Sequence, residues 1–131
     1  MIIDHIGYAV KDIEKAKQSL QTLGFVFGEV IEDKARNINI LFGENGGYKV
    51  ELVAPISTGS PVDSILTKVG PSPYHFCFTS SDIEKDINAL KEQRFRIAVP
   101  LAPAVAFGGN RVVFMYSLSA GLIELVETKA K

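Results

Sequence analysis

Cysteine is all but missing from this chain. Cys77 stands alone, so no disulfide can form within it, and a reducing, cytoplasmic setting is expected. Histidine is nearly as scarce, with two in 131 residues. Neither sign of charge is in excess. The net charge is −1 with both signs scattered, which offers no basic patch to nucleic acid and none to an anionic lipid surface. No apolar run reaches the length of a membrane span. Met1-Ile2-Ile3-Asp4-His5 enters a strand pattern directly, without signal-peptide character. What remains is a globular composition, 47% apolar and 22% charged, long enough to bury a core as one domain over 1–131.

The two histidines carry the organising feature. His5-Ile6-Gly7-Tyr8-Ala9-Val10-Lys11-Asp12-Ile13-Glu14-Lys15 returns 70 residues later as His75-Phe76-Cys77-Phe78-Thr79-Ser80-Ser81-Asp82-Ile83-Glu84-Lys85, and the match continues through Leu20/Leu90 and Phe25/Phe95. The chain reads as two copies of one unit, about 1–54 and about 73–127, joined by a connector over 55–72.

Each copy predicts the order β-α-β-β-β. Residues 2–10 alternate as a strand. Asp12 is placed to cap a helix whose face is Ile13, Ala16 and Leu20, and Gly24 suits the left-handed residue that ends it. Strands are expected over 25–31, 37–42 and 48–54, with a charged loop at 32–36 and a glycine-rich turn at 43–47. In the connector, Ser60-Pro61 reads as a helix start, with an apolar face of Val62, Ile65, Leu66 and Val69 stopped by Gly70-Pro71. The second copy predicts strands over 74–79, 95–99, 111–117 and 122–127, with a helix capped by Asp82. Arg94 stands where the first copy has Gly24, at a cost of about 1 kcal/mol if the position is left-handed. Residues 100–110 form a loop too apolar for free surface, which predicts a mobile cover. The tail 128–131 is polar and expected to fray.

The last strands of the copies also match, as Val50-Glu51-Leu52-Val53 and Ile123-Glu124-Leu125-Val126. Each copy therefore contributes one histidine from its first strand and one glutamate from its last. By alternation His5 shares a face with Gly7 and Ala9, and His75 with Cys77 and Thr79. The bulky opposite faces, Ile6 and Tyr8, and Phe76 and Phe78, should pack under the helices. The histidine sides, lined with small residues, leave room for a ligand. Either histidine alone reads best as a satisfied core residue, and either glutamate alone as a solvated one. Their correlation argues otherwise, because packing gives no reason to keep buried carboxylates that cost several kcal/mol unless paired or metal-bound. If a pseudo-twofold relates the copies, His5, Glu51, His75 and Glu124 converge on one divalent transition metal, with nickel, cobalt and zinc as candidates. Cys77 reads as an inert buried thiol. Arg111, following the apolar loop, is the candidate to meet an anionic part of the substrate, with a plain surface salt bridge as the equal alternative; Asn110 and Phe107 stand beside it.

Paired β-α-β-β-β units with this His/Glu pattern resemble the vicinal oxygen chelate superfamily, which includes glyoxalase I, methylmalonyl-CoA epimerase and the bleomycin-resistance proteins. The resemblance runs from about Ile3 to Glu127, and its four ligand positions match His5, Glu51, His75 and Glu124. It implies an α+β fold, two tandem βαβββ units forming curled mixed sheets around a central metal cleft, and a homodimer. Epimerase-like wording includes His5-Ile6-Gly7, Val50-Glu51-Leu52, Ser60-Pro61 and Gly108-Gly109-Asn110-Arg111. The epimerase's second acid/base glutamate is missing, however, since its stretch here is Lys34-Ala35-Arg36-Asn37. The complete His/Glu/His/Glu set is similar to glyoxalase I, although that family's Asp-Pro-Asp-Gly turn is here Leu118-Ser119-Ala120-Gly121. In both families a metal stabilises an enediolate or enolate and a carboxylate at the metal moves the α-proton. The intact set favours a glyoxalase-I-type lyase or isomerase acting on a thiol-carried hemithioacetal, with Glu124 as base, Glu51 assisting and glutathione or coenzyme A as carrier. Two alternatives stand beside it: epimerisation of a coenzyme A thioester, and a metal-free bleomycin-resistance-type binding protein.

Overall fold

The computed structural model describes residues 1–128. Among them are nine strands and three α-helices in an α+β arrangement. Of the expected polar tail, all but Thr128 lies outside the described residues. The chain forms two compact units. One is His5–Tyr74, and the other gathers Met1–Asp4 with the chain from His75 onward.

The first unit contains β1 (Ile2–Ala9, whose first three residues count with the other unit), α1 (Ile13–Thr22), β2 (Val26–Phe27), β3 (Ile31–Asp33), β4 (Ile38–Asn45), β5 (Tyr48–Pro55) and α2 (Asp63–Lys68). Its strands lie in the order β2-β4-β5-β1, with β3 also on β4. β1 runs parallel to β5 and sets Gly7 opposite Glu51. The second unit contains β6 (Ser72–Ser80, entered from the connector), α3 (Ile83–Glu92), β7 (Arg96–Pro103), β8 (Arg111–Ser117) and β9 (Gly121–Glu127), in the order β7-β8-β9-β6. β6 runs parallel to β9 and sets Cys77 opposite Glu124. The same topology and register, with repeat partners in the same places, give the sequence duplication its structural form.

The helix starts follow the sequence. Asp12 Oδ1 accepts from Lys15 N at 3.1 Å and Asp82 Oδ1 from Lys85 N at 3.3 Å. Asp82→Ala should lower the unfolding free energy by about 1 kcal/mol, to be checked by chemical denaturation. After the helices, Gly24 takes φ +101° and Arg94 φ +66°, so the arginine does occupy the left-handed position. Of the residues opposite the histidines, Tyr8 and Phe78 pack under the helices as expected, whereas Ile6 is not part of the cluster beneath α1. Tyr8 joins Val10, Ile13, Leu41, Val50 and Leu52 beneath α1, and Phe78 joins Ile83, Ile87, Val113, Met115 and Leu125 beneath α3. Phe76 departs from that pattern and stays 46% exposed.

Three local expectations are corrected. Residues 25–31 are not one strand. Phe27 pairs with Gly43 and Ile31 with Ile40, so this stretch has one residue more than β4 opposite it, and the ladder breaks around Gly28. α2 itself begins at Asp63, two residues later than Pro61, after a turn in which Ser60 still serves as the start: Val62 N donates to Ser60 Oγ at 3.5 Å and Asp63 N to Ser60 O at 3.1 Å, while the Asp63 carboxylate accepts in return from Ser60 N at 3.0 Å and Gly59 N at 2.8 Å. Residues 100–110 are not one long loop. β7 continues through Pro103, and a 3₁₀ turn, Val105–Phe107, closes the hairpin. Ala104 N donates to Asn110 O, Gly109 N to Ala104 O and Asn110 N to Phe107 O, with Gly108 and Gly109 at positive φ. These bonds pin the turn.

Candidate active site

Each unit builds a buried histidine–glutamate pair by the same rule. In a parallel pair, cross-strand partners face the same side and alternation returns to that side two residues on. Gly7 lies opposite Glu51, so His5, two residues back on the same face, lies diagonally across from Glu51. His5 Nε2 lies 3.5 Å from Glu51 Oε1, with side-chain exposures of 0% and 5%. Cys77, also small, has the same place opposite Glu124, and His75 Nε2 lies 3.2 Å from Glu124 Oε1, with exposures of 0% and 4%. The solvated-glutamate reading therefore does not apply to either glutamate. A buried carboxylate needs a positive or hydrogen-bonding counterpart, and in each unit an imidazole stands within reach.

Two phenylalanines complete the halves and escaped the sequence reading. Phe42 lies opposite Glu51 on β4, and Phe114 opposite Glu124 on β8. Each ring meets the histidine of its unit edge-on, at 5.6 Å and 76° for His5–Phe42 and 5.1 Å and 83° for His75–Phe114. The signal lay in Ile40-Leu41-Phe42 against Val112-Val113-Phe114. Its spacing is 72 residues rather than 70, because the intervening loops differ in length. Lys49 Nζ also lies 4.7 Å from the centre of the Phe42 ring.

The pinned turn covers part of the second unit. Ala104 is buried against Cys77, Val112 and Val126, with Phe107 packed beside them. Cys77 is thus a fully buried core thiol. Asn110 supplies backbone bonds to Ala104 and Phe107. Arg111 forks onto two carboxylates. Its Nε and Nη2 donate to Glu127 at 2.8 and 2.6 Å, and Nη2 also donates to Glu84 at 2.9 Å. The Glu127 hydrogen bond, followed by that of Glu84, raises the guanidinium pKa further above its ordinary value. A substrate anion at Arg111 would compete with both.

The architecture and the duplicated His/Glu pairs fit the comparison with known proteins. The model of the Glyoxalase/Bleomycin resistance protein/Dioxygenase superfamily matches residues 4–114. The chain belongs to that superfamily. It is 30% identical over 127 residues to the mitochondrial methylmalonyl-CoA epimerase of Bos taurus, covering 94% of this chain and 72% of the relative. It is 29% identical over 128 residues to the ethylmalonyl-CoA/methylmalonyl-CoA epimerase of Cereibacter sphaeroides, covering 94% and 95%. A crystal structure of a hypothetical protein from Bacillus halodurans superposes with a TM-score of 0.84 at 27% identity, covering 98% and 95%. The superfamily member is thus similar to isomerases of coenzyme A thioesters. The relatives back the epimerase alternative better than the glyoxalase-I reading, which had rested on the complete carboxylate set and on the stretch Lys34-Ala35-Arg36-Asn37.

Proposed function

We propose that the chain is a methylmalonyl-CoA-epimerase-type isomerase that moves the α-proton of a coenzyme A thioester. We further propose that His5, Glu51, His75 and Glu124 together hold one divalent cation. The observation that carries the reading is the duplicated buried pair, an imidazole nitrogen within 3.2–3.5 Å of a carboxylate oxygen in each unit. The donor chemistry fits, since two imidazoles and two carboxylates suit a first-row divalent ion, and a dication would neutralise both buried carboxylates. Such an ion, when bound, supplies Lewis acidity toward the thioester carbonyl.

The protein's own groups do the rest. In this reading Glu124 accepts the α-proton, and Glu51 is the carboxylate that returns one. The stretch in which the epimerases have a further glutamate forms the 3₁₀ turn Lys34–Arg36. Its nearest carboxylate, Asp33, is buried, accepts from Arg36 N at 3.2 Å and pairs with the Arg36 guanidinium at 3.0 Å. Asp33 is thereby committed to the turn. The proton transfers then fall to Glu124 and Glu51.

The test is proton–deuterium exchange at the α-carbon of methylmalonyl-CoA in deuterated water, beside conversion of the hemithioacetal of methylglyoxal and glutathione. Exchange on the thioester alone supports the proposal. Conversion of the hemithioacetal alone would restore the glyoxalase reading. Neither reaction, with no metal bound, would leave a binding protein.

Phe114 should matter through His75. Phe114→Ala removes the ring packed edge-on against the His75 imidazole, and if that contact orients the imidazole, metal affinity should fall about tenfold, the low end for groups that orient a ligand. Chelator competition measures it, and unchanged affinity would leave Phe114 a packing role only.

A further inference from the structure

We infer that a cationic groove at the end of α3 binds the phosphate-bearing, nucleotide end of the substrate's carrier, an inference that rests on the thioester reading above. The groove has a volume of about 940 Å³ and is lined by Lys91, Arg94, Arg96, Phe95, Tyr116 and Leu118, among others. None of the three cations forms an ion pair with the described residues.

The duplication supplies an internal control. The positions 70 residues earlier are Gln21, Gly24 and Val26, all uncharged, on the same helix end and strand start. The fold therefore does not require cations there. Arg94 goes further, because it holds φ +66° where its partner is a glycine at φ +101°. An L-residue is disfavoured in that conformation, and strain of this kind persists at sites where function retains it. The helix C-terminus favours a nearby cation, but Lys91 in the last turn already provides one without strain. Arg96 is on β7, outside the helix.

The groove's lining reaches the strand that carries the half-site's phenylalanine. Arg96 lies opposite Tyr116, and Tyr116 is two residues along β8 from Phe114, on the same face. That places it about 7 Å further along the strand from the ring that meets His75 at 5.1 Å. Tyr116 is 46% exposed and Leu118 96% exposed, giving a purine an aromatic and an apolar surface. Three cations beside them suit a nucleotide with several phosphates.

The variant that tests this writes the first unit's residues into the second: Lys91→Gln, Arg94→Gly and Arg96→Val together. On metal-loaded protein, KM for methylmalonyl-CoA should rise about tenfold more than KM for the methylmalonyl thioester of N-acetylcysteamine, which lacks the nucleotide. That difference should shrink as salt is raised. Arg94→Gly alone should raise the melting temperature while weakening the coenzyme A thioester, a combination that loss of structure does not produce. Equal changes for the two thioesters would overturn the groove and leave the epimerase reading standing. If no thioester turns over, calorimetric titration with adenosine 3′,5′-bisphosphate still decides. A Kd raised about tenfold in the triple variant supports the groove, and no binding to the unaltered protein refutes it.

Discussion

Glu124→Gln should lower kcat on methylmalonyl-CoA by about 10²–10⁴-fold, the range for loss of a general acid or base, while the protein keeps its metal. Glutamine preserves the volume and one oxygen donor in a site only 3% exposed, so packing against β8 and β6 is undisturbed and the change isolates proton acceptance. If Glu124 is the base, it would have to act from a position withdrawn from a bound cation, because a carboxylate held firmly against a cation is a weak base. Glu51→Gln should be milder, because Glu124 is the proposed base and glutamine keeps one oxygen donor at position 51. The measurements are steady-state turnover, α-proton exchange and elemental analysis on the same preparations. Near-normal turnover in Glu124→Gln would move the base to Glu51. Loss of metal together with turnover would make Glu124 a ligand whose role as base the variant cannot claim.

Much of the fold was legible because duplication doubles every signal. A lone His5 or Glu51 says little, but recurrence at His75 and Glu124 pointed to their strands, and the shared register then brought each pair within 3.5 Å. The caps Asp12 and Asp82 were legible from local chemistry, and so was the left-handed conformation of Arg94, through Gly24. What escaped depends on non-local pairing. The break between Phe27 and Ile31 follows from the ladder with β4, which no pattern within residues 25–31 reveals. Ser60-Pro61 marked the start of α2 to within two residues, and the reciprocal bond from Ser60 N to the Asp63 carboxylate completes it. The apolar stretch 100–110 looked like a loop because Pro100 and Pro103 disfavour a central strand, but β7 ends the strand order of its unit, and an edge tolerates proline. That Arg111 pairs with Glu84 and Glu127 depends on residues distant in sequence, which its neighbours do not reveal. The choice of chemistry was the least legible part, since both candidate reactions draw on the same four side chains.

His75→Ala should abolish stoichiometric metal binding, and the loss should be readable as stability. An ion that binds only the folded state stabilises it by RT ln(1 + [L]/Kd), about 4 kcal/mol at a thousandfold excess over Kd, or roughly 10 °C or more in melting temperature for a domain of this size. A chelator should therefore lower the melting temperature of the unaltered protein markedly and that of His75→Ala hardly at all. His5→Ala should behave alike, because His5 and Glu51 repeat the arrangement of His75 and Glu124. The variants carry a second cost that metal cannot restore. Removing the imidazole leaves Glu124 buried at 3% exposure without the ring 3.2 Å away, and taking one partner from a buried polar pair costs about 1–3 kcal/mol. Their melting temperatures should thus fall below that of the chelated unaltered protein, and a second substitution, Glu124→Leu in the His75→Ala background, should recover part of the difference. If the chelator shifts both proteins equally, the ion is held elsewhere. If it shifts neither and no ion is found, the buried His/Glu pairs are structural and the binding-protein reading takes the place of the isomerase.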